Sequence, residues 1–108
     1  TLWGSYGTGD GQFKQPFGVA VEAFHGLVCV SDFGNNRIQA FTTAGVFQSK
    51  WGTSGTAQGQ FRSPFLLVAD ASGYLYVADS ENNRIQVFGS IPVPAEKTTW
   101  GRLKTMYR

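Results

Sequence analysis

Charge is scarce in this chain, and so are the side chains that most often do chemistry. Asp, Glu, Lys and Arg make up 15% of its 108 residues, with one histidine, His25, and one cysteine, Cys29. A lone cysteine excludes an intrachain disulfide, and its apolar surroundings mark it as a small buried hydrophobe. His25 and Cys29 alone fall short of the three or four ligands of a zinc centre, so no metal and no cofactor is expected. No serine or cysteine stands at a recognisable spacing from a base that would make it a nucleophile. No apolar run approaches the roughly 18–20 residues of a membrane span, so a membrane is not an expected partner. The first residue is Thr1, which fits either a chain trimmed upstream or a segment of a longer one.

What the chain has in excess is glycine and aromatic side chains. Fourteen glycines and an aromatic share of 15%, with many Val-rich runs, read as an all-β domain with many turns and ample material for a core. The net charge of +2 is unevenly spread. Residues 3–50 sum to zero, residues 51–99 to −1, and the tail from Trp100 carries +3 through Arg102, Lys104 and Arg108. A basic face broad enough for nucleic acid is therefore not indicated by the bulk of the chain.

The chain says nearly the same thing twice. "WGSYGTGDGQFKQPF" (residues 3–17) matches "WGTSGTAQGQFRSPF" (residues 51–65) at an offset of 48, and "DFGNNRIQAF" (32–41) matches "DSENNRIQVF" (79–88) at an offset of 47. One residue is extra in the first copy, within "EAFHG" against "DASG". Each copy reads as short strands. "FGVAVE" (17–22) and "FLLVAD" (65–70) are apolar runs suited to a strand buried on both faces. "LVCVSD" (27–32) and "YLYVAD" (74–79) are β-rich. "RIQAF" (37–41) and "RIQVF" (84–88) alternate, which predicts one buried and one wet face. "GVFQSKW" (45–51) makes a fourth strand in the first copy. Four strands per unit of about 40–50 residues is the period of a propeller blade.

Gly-x-Gly-Gln-Phe-x-x-Pro, a Val-Ala-rich strand, and Val-x-Asp-x-x-Asn-Asn-Arg-Ile-Gln-x-Phe together resemble the NHL repeat. The resemblance covers nearly all of residues 3–89. It implies antiparallel four-stranded β-propeller blades, most often six to a ring, used as a recognition platform. Some members bind protein, some bind RNA and a few are enzymes, so the resemblance carries the fold and leaves the activity open.

Asp32 and Asp79 end a strand, the paired asparagines make a turn, where Asn36 and Asn83 tolerate left-handed backbone, and Arg37 and Arg84 begin the next strand. Asp followed by Asn-Asn-Arg has the side chains of a catalytic cluster, but a motif present once per blade suits a structural turn better than a single active site. The expectation is that the carboxylate accepts N–H groups of the turn and the arginine packs on a neighbouring strand or blade. In the family that the chain resembles, the loop after the second strand and the link between blades open on one end of the ring, which is the usual binding face. Here that end carries Lys14 and Arg62 from the links and Phe33, Gly34, Ser80 and Glu81 from the turns. Phe33 stands out because its counterpart is Ser80, so the repeat does not need an aromatic there. Such a side chain suits a protein, peptide or base-stacking contact, or tucks into the adjacent link.

The domain reading divides the chain into residues 1–4, a partial outer strand completing another blade; 5–52, the first blade; 53–90, a second blade lacking its outer strand; and 91–108, a Pro-containing linker and basic tail. Trp100, Leu103 and Tyr107 fall on one face of a short helix or clamp. Two blades leave open faces that invite association, and three chains would make six blades. The favoured function is a non-catalytic scaffold that self-associates, as a trimer, and offers its loop face to a protein or peptide. The alternatives are an RNA-binding propeller and the end of a longer propeller enzyme with no activity of its own.

Overall fold

Short Val-, Ile- and Phe-rich runs broken by Gly, Asn and Pro favour strands over helices, and the chain folds accordingly. The computed structural model describes residues 1–89, and no α-helix occurs among them. A short parallel pair, β1 (Ser5–Tyr6) and β2 (Gln12–Phe13), leads into the first sheet. That sheet is an antiparallel meander of β3 (Pro16–Glu22), β4 (Leu27–Asp32), β5 (Arg37–Thr42) and β6 (Phe47–Trp51), in that order. A second link follows, with an isolated parallel bridge from Ser54 to Phe61 where β1 and β2 pair in the first. It leads to β7 (Pro64–Ala69), β8 (Leu75–Asp79) and β9 (Arg84–Phe88), again antiparallel and in sequential order. The two sheets have the form of propeller blades, and two blades do not close a ring.

The blades pack face to face. Leu27, Cys29, Ile38, Ala40 and Trp51 of the first meet Phe61, Leu67, Leu75, Val77 and Phe88 of the second in one buried cluster, with Ala20 and Ala69 at its margin. Gly18 permits the close approach of β3 to β7, because a Cβ there would lie 2.7 Å from the Phe65 carbonyl oxygen. The seam also has polar ties. The Ser31 hydroxyl donates to the Phe65 carbonyl, and the Ser63 amide donates to Asn36 Oδ1 at 2.8 Å.

Strand burial departs from the sequence expectation in both blades. β7 leaves Leu66 and Val68 exposed instead of covered on both faces, and in β9 the polar Gln86 is buried while Ile85 is exposed. β3 is not covered on both faces: Phe17, Val19 and Val21 are exposed, because only one side of the first blade meets the second. β5 has no wet face. Arg37 through Phe41 are all buried, since one side meets the second blade and the other is roofed by the β1–β2 link. Gln39 shows how: its Oε1 accepts the Gly11 amide at 2.9 Å and its Nε2 donates to the Gln12 carbonyl at 2.7 Å. The expected tail helix over Trp100–Tyr107 and the prolines before it lie outside the described residues.

Candidate functional site

The repeated Asp-x-x-Asn-Asn-Arg segment forms the same clasp in both blades. A 3-10 turn over Phe33–Asn35 and then Asn36 at φ 51° reverse the chain between β4 and β5; Ser80–Asn82 and Asn83 at φ 53° do so between β8 and β9. In each pair the second asparagine takes the left-handed conformation. The first donates its side-chain amide to the aspartate, Asn35 to Asp32 and Asn82 to Asp79, both at 2.9 Å. The carboxylate reaches further than its own turn. Asp32 Oδ1 accepts the Lys14 backbone N–H at 2.8 Å, and Oδ2 accepts Arg37 Nε at 2.7 Å. Asp79 does the same with the Arg62 N–H and Arg84 Nε, at 2.7 and 2.8 Å.

The arginines spend what remains of their donors on the links. Arg37 donates to the carbonyls of Thr8, Gly9 and Gln12, and Arg84 to those of Thr56, Ala57 and Gln60. Such a guanidinium is a structural staple, fixing a glycine-rich link over the sheet by charge-assisted hydrogen bonds. Both carboxylates are fully buried; the Arg37 side chain is nearly so, and that of Arg84 is more open.

The loop residues singled out in sequence come together in pairs. The Gly34 amide donates to the Lys14 carbonyl at 2.7 Å, and a Cβ on Gly34 would sit 2.6 Å from that oxygen. The Glu81 amide donates to the Arg62 carbonyl at 3.0 Å, Ser80 donates to the Ser63 carbonyl, and the Ser63 hydroxyl donates to the Glu81 carboxylate. Each turn is thus zipped to its own link. Phe33 packs against Phe17 at the head of β3, at 5.5 Å between ring centroids, and against Phe65 at the head of β7, at 6.4 Å. Phe17 and Phe65 are themselves 4.1 Å apart. The three rings straddle the seam between blades, with Phe17 51% exposed.

Phe17 and Phe65 were not legible as site residues because both belong to runs expected to be buried. The signal was the Pro-Phe pair at 16–17 and at 64–65, which sets an aromatic at the mouth of each inner strand. Beside the first clasp lies an open cleft of about 520 Å³ that includes Arg37, Lys50 and Trp51 in its lining. Its charges are taken, Arg37 by the contacts above and Lys50 by Asp10 at 2.7 Å.

Among the described residues no group of three or more His, Cys, Asp or Glu side chains is placed to hold a metal. His25 Nδ1 lies 2.7 Å from Glu22 Oε2, which also accepts the His25 backbone N–H. Burial, and secondarily the Glu22 charge, push the Cys29 thiol up to about 12, so it is protonated and inert at neutral pH. Asp70 titrates below the usual carboxylate range, chiefly because it accepts the Tyr74 backbone N–H and in addition the Tyr76 hydroxyl and the Ser72 N–H.

Residues 61–88 match the NHL repeat family. The chain is 45% identical over 48 residues to the mouse (Mus musculus) protein named E3 ubiquitin-protein ligase TRIM71, a match covering 44% of this chain and 6% of that protein. It is 44% identical over 48 residues to Caenorhabditis elegans protein lin-41, covering 44% of this chain and 4% of the relative. The match thus spans only a small fraction of the length of these relatives.

Proposed function

From the premise that this chain carries the NHL repeat, we propose that it is a non-catalytic binding module whose blades associate with further blades and present the loop face to a protein or peptide. In this reading three chains make a six-bladed ring. The observation that carries the binding role is the Phe17–Phe33–Phe65 cluster. Three rings stand together at the loop end, across the seam between the blades, with Lys14 and Arg62 on the flanking links. Aromatic side chains held by neighbours, beside cations, are the composition of a recognition hot spot. Phe33 is dispensable to the repeat, since Ser80 occupies its place in the other blade. The similarity to a protein named as an E3 ubiquitin-protein ligase covers too little of that protein for its activity to pass to this chain.

The test is selection of peptides from a displayed random library on the immobilised protein, followed by the Phe33→Ser and Phe17→Ala variants. Selected peptides are expected to lose at least about tenfold in affinity for both variants, with circular dichroism unchanged, the loss typical of a hot-spot aromatic. Peptides that bind both variants as well as the parent would contradict the site. Preferential capture of single-stranded RNA, with affinity falling steeply with salt, would support the RNA reading instead.

A further inference from the structure

The internal repeat makes the seam between the two blades a template for the faces that the seam does not cover. On the second blade's side the seam is built from Phe61, Leu67, Leu75, Val77 and Phe88. Their counterparts in the first blade are Phe13, Val19, Val28, Val30 and Phe41. Of these, Phe13, Val28, Val30 and Phe41 are already buried in a second cluster on the opposite side of that blade, and what stays open there is Val19, with its neighbour Val21, at 64% and 62% exposed. On the first blade's side the seam uses Ala20 and Ile38. Their counterparts, Val68 and Ile85, are 64% and 61% exposed on the outer side of the second blade, with Leu66 beside them at 53%. Ile38 in the seam is 0% exposed. The same residue in the same repeat position is therefore fully covered in one blade and open in the other.

We infer that the open front of the first blade and the open back of the second are the two halves of one interface, and that what covers each is a second copy of this chain. The inference rests on the ring reading above and gives it residues and direction. The front already carries part of its complement. Trp3 lies on Phe41 at 6.2 Å between ring centroids, as Trp51 at the end of β6 lies on Phe88 at 5.6 Å. Trp3 and Trp51 hold the same repeat position, so Thr1–Gly4 sits where the outer strand of a preceding blade would end. A contact between unlike faces is heterologous, and it propagates head to tail until it closes. One point differs from the template. Leu66 replaces Gly18, so the partner's inner strand stands further from the second blade than β7 does from the first.

Val19→Asp blocks the front and Val68→Asp blocks the back, and both positions are exposed enough for each variant to fold alone, which circular dichroism would verify. In light scattering behind a sizing column, the parent is expected at three chains and each variant at one. An equimolar mixture is expected at two chains, because one intact front meets one intact back and no further growth is possible. If the parent is a trimer but either variant remains one, or the mixture stays at single-chain mass, these faces are not the interface while the ring reading survives. If the parent itself runs as a single chain, the ring reading and this inference fall together. The loop-face site is read separately by peptide binding in the Val19→Asp background.

Discussion

The two blades are close to copies, and their differences are instructive where the same position does different work. Glu22 and Asp70 are equivalent and both close the hairpin between the first two strands of a blade. Asp70 closes a four-residue turn by accepting the Ser72 and Tyr74 amides, at 2.9 and 3.0 Å. Glu22 closes a turn that is one residue longer, and its extra methylene lets it reach the His25 amide and ring. The longer acid compensates for the longer loop. The cost differs as well: Glu22 is fully buried with Oε1 unpartnered, whereas Asp70 is half-buried. A repeat thus preserves the turn, and each copy satisfies it with the side chain its own spacing allows.

The largest effect should come from breaking a clasp. Asp32→Ala strands a buried guanidinium, and removal of one partner from a buried pair typically costs about 3–5 kcal/mol. For a domain of this size that is a large share of total stability. Asp79→Ala should cost less, because the Arg84 side chain is 29% exposed against 9% for Arg37 and recovers hydration. Urea unfolding of the two variants side by side checks the order, and equal losses would show that exposure of the arginine does not matter.

Next is the isoleucine pair. Ile38→Ala empties the seam and should cost about 2–5 kcal/mol. Ile85→Ala in the Val19→Asp background, where single chains are expected, should change stability by no more than about 0.5 kcal/mol. A large loss there would mean that Ile85 is already packed within one chain. A smaller change is expected at the hairpins. Glu22→Asp is too short to span the five-residue turn and should cost about 1–3 kcal/mol through a buried polar group left unmade, while Asp70→Glu should be nearly neutral.

The smallest effect concerns pH and thiol chemistry. Cys29 has a folded value of about 12 against 9.0 for the free thiol. The folded state holds the proton more tightly, so stability is intact below about 9 and falls as pH rises from there towards 12. In the native protein the thiol should resist a thiol reagent at pH 8 and react at once in denaturant. Prompt labelling of native protein would contradict the burial of β4.

Most of the fold was legible because a repeat gives each strand two readings. The turn asparagines, the strand order and the all-β class follow from residue types and spacing that act locally. What local patterns hide is contact across distance. Gln39 looked wet because it alternates with Ile38 and Ala40, yet the link twenty-seven residues back folds over it. The full set of Asp32 partners was hidden for the same reason, since Lys14 lies eighteen residues away. Val19 and Val21 looked buried because an apolar run suggests a covered strand, and it does not say whether the cover belongs to the same chain. Phe33 was singled out by its contrast with Ser80, but its partners Phe17 and Phe65 were masked by that same apolar pattern.

The measurement that bears most directly on the account is the mass of the unmodified protein in solution, by light scattering behind a sizing column. A sharp species at three times the 11.8 kDa chain is expected. A single-chain mass would contradict it and leave the exposed valines and Ile85 without a partner of their own kind.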